Sequence, residues 1–271
     1  MKKILALLCA ILMLVGCLTA CGGNGGDVSS APEVKSDLAY VKDKGTLIVG
    51  ITDFAPMDYK GDNDEWIGFD ADMAKAFAAK LGVEVQFQII ADWNNKALEL
   101  DGKTIDVVWN GMTLTDEVKA AMDCSNAYCN NQQIVIVKKE VAAQYQTKDS
   151  VKGLKFAVED GSAGEKQVDA LGAQKVEVED QATALTEVKA GTADAAVIDS
   201  LMAAAMVGEG TGYADLTYTV GLNDEEYGVG FRKGSDLVAE LNQFFKDSYA
   251  DGSMMTIAKK YGVQASIIEQ K

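Results

Sequence analysis

The chain has 271 residues, 48% of them apolar, enough to bury one large core or two medium ones. Acidic residues outnumber basic ones 41 to 25, a net charge of −16, which argues against nucleic acid as a partner because phosphates need a basic surface. Histidine is absent, which excludes Ser-His triads and His-ligated zinc, and no metal or cofactor is implied; the lone arginine is Arg232.

Lys2 and Lys3 precede an apolar run from Ile4 to Val15 that is too short to span a bilayer, the pattern of an export signal over 1–20. The run leads into "LTAC", Leu18 to Cys21, which resembles the lipobox of bacterial lipoproteins. By that resemblance cleavage precedes Cys21, and Cys21 carries the lipid that anchors the protein to a membrane. The next stretch, "GGNGGDVSSAPEVKSD", is Gly- and Ser-rich and almost free of apolar residues, as expected of a flexible tether over 21–37. Cys124 and Cys129 fall in the folded part, five apart; outside the cytosol a bridge is permitted, and a disulfide or two free thiols both stand as readings.

"TLIVGI" (46–51) is a short apolar run bounded by Gly45 and Asp53, the mark of a buried strand. In "GFDADMAKAFAAKLG" the apolar residues Phe69, Met73, Ala76, Phe77 and Leu81 recur at helical spacing, with Gly82 just past the end. "VEVQFQI" alternates as a half-buried strand does, a helical stretch runs from Trp93 to Leu100, and "IDVVW" is a strand again. This is β-α-β-α-β, the grammar of a mostly parallel sheet covered by helices. The pattern restarts with strands at "QIVIVKK", "LKFAV" and "KVEVE", a helix over 182–190, then strands at "DAAVI" and "YGVGFRKG". Two amphipathic helices, near 237–249 and 254–261, close the chain. The expected class is α/β with two lobes.

Seven segments in order, "GTLIVGITDFAPMDY", "IGFDADMAKAFAAKLG", "IDVVWNGMTLTDE", "DCSNAYCNNQQIVIV", "FAVEDGSAGE", "AGTADAAVID" and "YGVGFRKGSDL", resemble the polar amino acid family of bacterial extracellular solute-binding proteins, which serve ATP-driven importers. The resemblance covers nearly all of 38–263. It implies a type II periplasmic-binding-protein fold: two α/β lobes joined by two crossing strands, with the ligand clamped between them. Lobe one is then 38–130 plus 223–271, lobe two is 131–222, and the crossings are "NNQQIVIV" and the approach to "EYGVGF". The implied partners are a small amine or amino acid, an ABC permease with its ATPase, and the membrane through the lipid. The implied state is a monomer outside the cytoplasm, on a Gram-positive surface rather than in a periplasm.

By the same resemblance, Phe54 at the end of the first strand and Trp93 after the half-buried strand are pocket aromatics, an arrangement that suits an alkyl chain, a ring or a cation. Gly111 offers backbone groups and Thr113 a hydroxyl to the ligand's charged end; a tight turn and a helix start would use the same residues. In "EDGSAG", Ser162, Ala163 and Gly164 open a helix whose N–H groups suit a carboxylate, although Glu159 and Asp160 make the field there more negative. Asp199 takes the ligand's amine, or else caps the helix that begins at Ser200.

Position 118 departs from the pattern. The family usually has an arginine after "TDE", gripping the α-carboxylate through a planar fork. Here it is Val118, and Lys119 lies about 100° around a helix from it. The expected pocket is therefore aromatic and acidic, made for a small cationic amine or an amino-acid derivative, with the carboxylate half of the site removed. Two other classes remain on the same fold. A conventional amino acid binder would hold the carboxylate with backbone amides. A dehydratase-like enzyme would use Glu159, Asp160 or Asp199 as general acid. A ligand sensor would look the same in sequence.

Overall fold

The computed structural model describes residues 36–271. The export signal, Cys21 and nearly all of the tether lie outside the described residues.

Helix α1 (Asp37–Lys44) starts on Ser36, whose hydroxyl accepts from the Ala39 N–H, and stops at Gly45 in the left-handed region. Strand β1 (Thr46–Ile51) is followed by a small hairpin, β2 (Tyr59–Lys60) and β3 (Trp66–Ile67). Helix α2 (Phe69–Leu81) buries Phe69, Met73, Phe77 and Leu81, the stripe expected from their spacing, while Ala76 stays half-buried. Strand β4 (Glu84–Ile89) comes next, then a short 3-10 turn at Trp93–Asn95 that runs into α3 (Lys96–Asp101). Strand β5 (Val107–Thr113) leads to α4 (Asp116–Ala121), capped by Thr115, and to the short strands β6 (Asp123–Cys124) and β7 (Cys129–Asn131).

The chain then builds a second sheet. Its elements are β8 (Gln133–Lys138), α5 (Lys148–Val151), β9 (Lys155–Glu159), α6 (Ala163–Leu171), β10 (Gln174–Val178), α7 (Gln181–Ala190), β11 (Ala195–Asp199), α8 (Ser200–Met206) and β12 (Leu216–Gly221). Strand β13 (Glu225–Phe231) returns to the first sheet, and α9 (Leu237–Ala250) and α10 (Ser253–Lys260) finish the fold.

The protein is thus two α/β lobes. The first sheet has the order β4-β1-β5-β13-β6, with β7 also on β13; the second has the order β10-β9-β11-β8-β12. In each, three parallel strands come first: β4, β1 and β5 in one, β10, β9 and β11 in the other. The strands that pass between lobes, β13 in one and β8 in the other, add antiparallel to that set. The central strands β5 and β11 are buried almost throughout because helices cover both faces, whereas the edge strand β4 alternates between half-buried and exposed.

The crossings are short. One is Gln132, between β7 and β8; the other is Leu222–Asp224, between β12 and β13. They run side by side: the Leu222 N–H donates to the Gln133 carbonyl at 2.8 Å, and the Gln133 N–H donates to Asn223 Oδ1 at 2.9 Å.

The closing helices belong to the first lobe. Phe244 lies 5.5 Å from Phe77, and Phe245 lies edge-on to Trp109 at 5.6 Å. Trp109 is therefore core, as expected, and Trp66 is half-buried in the hairpin. Arg232, just after β13, ties α1 to the same lobe. Its Nε donates to both oxygens of Asp37 at 2.9 and 3.1 Å, and its remaining nitrogens reach the carbonyls of Leu100 and Ile105 and the carboxylate of Asp106. Cys124 and Cys129 are free thiols, the second fully buried.

Candidate functional site

Between the lobes lies a cavity of about 310 Å³, near the lower end of the range for small-molecule sites. It forms where the parallel strands of both sheets point their carboxyl ends at one another. β1 delivers Thr52, Asp53 and Phe54, and β5 delivers Asn110 to Thr113. β9 delivers Glu159, and β11 delivers Asp199. Of the residues named from the sequence, Phe54, Trp93, Gly111, Thr113, Val118, Glu159, Ser162, Ala163 and Asp199 line this one cavity, and Gly164 does not. Several do so with their polar groups already engaged.

Asp199 is buried and gathers four donors. Tyr227 Oη donates to Oδ1 at 2.7 Å and Gln133 Nε2 at 2.9 Å, while Asn131 Nδ2 and Gln181 Nε2 make the other two bonds. Its side chain caps no helix, although α8 begins at the next residue, so the capping reading fails. Burial, then the neighbouring charge of Glu225, pushes its pKa up to about 7. Glu159 is buried too, and burial followed by the charge of Asp199 pushes it up to about 8. Gln133 donates from Nε2 to both Asp199 and Glu225, which fixes its amide orientation, and leaves its Oε1 buried with no hydrogen-bond partner.

The polar groups of three expected contacts are engaged within the protein. The Thr113 hydroxyl donates to Glu225 Oε1 at 2.9 Å; Glu225 opens β13, two residues before Tyr227, which pairs with Thr113, and it already collects the amides of Asn131 and Gln133. The Gly111 N–H donates to Asp70 Oδ2 at 2.7 Å, an oxygen that also accepts from Tyr128 Oη. Gly111 serves by shape instead: its φ is 55°, and a Cβ there would strike the Phe54 ring, which rests edge-on to Tyr227 at 6.3 Å. Of the amides opening α6, that of Ser162 turns back to the Glu159 carbonyl at 3.3 Å, while its hydroxyl accepts from the Glu165 N–H.

One expectation needs correction, the charge of the pocket, which is not purely aromatic and acidic. Val118 is apolar and buried, packed among Ile90, Leu100, Ile105, Val108, Met112 and Met122. Lys119 is exposed and does not line the cavity. Lys96, which the sequence reading passed over, does line it. The residue is only 9% exposed, its Nζ donates to the Trp93 carbonyl at 2.9 Å and sits 4.8 Å from the centre of the Trp93 ring. Burial lowers its pKa to about 8 against the pull of Glu159, which faces it. A signal was present: Trp93 and Lys96 are three apart at a helix start, a spacing that puts both on one face. Gln133, Gln181 and Tyr227 were missed for a different reason, since they meet Asp199 only through the tertiary fold.

The lobes also touch across the cleft. Lys166 Nζ of α6 lies 2.6 Å from Glu117 Oε2 of α4. Gly161 lies so close to the Asn94 side chain that a Cβ would collide with it.

Comparison with known proteins agrees with this architecture. The family described as bacterial extracellular solute-binding proteins, family 3, matches residues 47–264. An L-cystine-binding protein of Escherichia coli (strain K12) is 31% identical over 83% of this chain and 85% of its own length. An ABC transporter glutamine-binding protein of Bacillus subtilis (strain 168) is 33% identical over 96% of this chain and 97% of its own. A crystal structure of a mutant arginine-binding protein from T. maritima superposes with a TM-score of 0.78 at 31% identity, covering 83% of this chain and 99% of that one. These relatives are transport binding proteins, which does not favour the dehydratase reading. Among the described residues no helix is long and apolar enough to cross a membrane. With its two α/β lobes and the cleft between them, the chain belongs to the extracellular solute-binding proteins of family 3, amino-acid-binding components of ABC importers.

Proposed function

We propose that this protein captures a small solute bearing a protonated amine and delivers it, by closing the lobes over it, to an ABC permease and its ATPase. The ammonium is received by Asp199 and Glu159, with Phe54 and Trp93 flanking it. The carrying observation is buried negative charge without a salt-bridge partner among the described residues: two carboxylates held partly protonated by burial and mutual repulsion, beside the unmatched Oε1 of Gln133. An unpaired buried acceptor is costly, and a cation with N–H donors relieves both defects at once. No guanidinium stands at position 118 to grip an α-carboxylate. Cys21 anchors the protein by lipid to the outer face of the cell membrane, on a Gram-positive surface, and it works as a monomer.

The test is to strip bound solute by unfolding and refolding, then record melting shifts with amines and amino acids. A ligand at 100 times its dissociation constant adds about 2.7 kcal/mol, a shift of about 5–11 °C for a protein this size. Asp199→Ala should abolish the shift, since truncating a buried charge partner costs about 2–5 kcal/mol. Unchanged affinity in that variant would remove Asp199 from the site.

A further inference from the structure

Two lysines line the cleft, Lys96 and Lys166, while Lys119 and Lys175 stand off it. Lys166 is paired with Glu117 at 2.6 Å, Lys175 is paired with Glu165, Asp169 and Glu177, and Lys119 is exposed and off the cavity. Lys96 differs. It lies buried in the cavity wall and makes no salt bridge among the described residues. An ammonium carries three N–H donors, and one of them is used, on the Trp93 carbonyl. The others have no acceptor among the described residues. Glu159 lines the same cavity, is buried, and makes no hydrogen bond to Lys96. A buried cation and a buried anion that line one cavity with no hydrogen bond between them leave room for a molecule that touches both.

We infer that Lys96 is the anion seat of this cleft, in place of the guanidinium that Val118 excludes, and that the solute is amphoteric. Its ammonium meets Asp199 and the free oxygen of Gln133 in the second lobe; its carboxylate takes Lys96 in the first lobe, beside the Trp93 ring. This rests on the amine reading above and narrows it. The carboxylate moves from the α4 side of the cleft to the α3 side, so a solute is read by one charge from each lobe. Only a molecule with both ends completes the pairing when the lobes meet.

The experiment measures affinities of wild type, Lys96→Gln, Lys96→Arg and Lys119→Gln for matched pairs: lysine and cadaverine, arginine and agmatine, phenylalanine and phenethylamine. Wild type should prefer the acid of at least one pair. Lys96→Gln should lose at least about 30-fold for that acid, the effect of removing a buried charge partner, and leave its amine unchanged or tighter. Lys96→Arg should retain the preference and guard against a folding defect, and Lys119→Gln should behave as wild type. If the amines bind wild type as well as or better than their acids, or if Lys96→Gln binds the acid normally, the inference falls while the amine reading stands. If no amine-bearing solute binds wild type, both fall.

Discussion

Glu117 of the first lobe and Lys166 of the second meet at 2.6 Å over the mouth of the cleft. They are 72% and 42% exposed at the side chain, so water and salt screen the attraction, and the pair works as a light catch rather than a lock. Lys166→Gln is expected to weaken solute affinity by less than about fivefold, through faster release. In 1 M salt the difference from wild type should vanish. Stopped-flow dissociation reads both, and a change confined to the association rate would remove the catch from the closed state.

Val118 sits where an arginine would point into the cavity, yet its side chain belongs to an apolar cluster. Val118→Arg should therefore do two things. It should destabilise by about 1–3 kcal/mol from overpacking. It should also raise affinity for ordinary α-amino acids, by supplying a planar bidentate partner. Calorimetric titration of both proteins separates the effects, and a stable variant with unaltered amino acid affinity would show that position 118 does not reach a bound carboxylate.

The pH dependence follows from Asp199, Glu159 and Lys96. The two carboxyls hold protons up to about 7 and about 8, because burial and then like charge disfavour their ionised forms. An ammonium binds the ionised forms, so its binding releases protons and tightens as pH rises through that window. Lys96 loses its proton near 8, so a carboxylate seated on it is released as pH rises further. An amine without a carboxylate should show affinity rising until its own nitrogen titrates; an amphoteric solute should show a bell with its summit between about 7 and 8. Without ligand the same raised carboxyl values make the fold less stable as pH climbs from the usual carboxylate range to about 8, which a melting series would record.

Arg232 is the buried keystone of the first lobe, bonded to Asp37, Asp106 and two carbonyls. Removing one side of such a network strands charges in the interior at a cost of about 3–5 kcal/mol. Arg232→Ala should lower the melting temperature by roughly 6–20 °C. Solute affinity measured well below that transition should stay unchanged, because Arg232 does not line the cavity.

Much of the architecture was written in local patterns. The stripe Phe69–Met73–Phe77–Leu81 and the stop at Gly82 specify α2 without tertiary help. The apolar runs in β1, β5 and β11 state their own burial. β12 was harder, since "LTYTVG" carries few apolar residues and becomes a strand by pairing with β8. The site was legible in its membership but not in its bonding. That Asp199 is polar and strand-terminal is local; that it gathers amides and a phenol from positions 131, 133, 181 and 227 depends on two crossings brought side by side. Thr113 misled for the same reason, as its partner Glu225 is 112 residues away. Lys96 was overlooked because a lysine beside asparagines reads as surface, and its burial is a product of the tertiary fold.

The fastening of α1 sets a path for mechanical load. Ser36 Oγ donates to Asp236 at 2.5 Å, the Leu38 N–H donates to the same carboxylate at 2.9 Å, and Asp37 grips Arg232. A pull on the chain ahead of residue 36 is therefore delivered to the first lobe alone. The second lobe is held by that lobe's contacts and by two short crossings, and it bears none of the tension directly. Whatever restrains the N-terminus therefore acts on the jaw that α1 is fastened to, and reaches the other only through the contacts between the lobes.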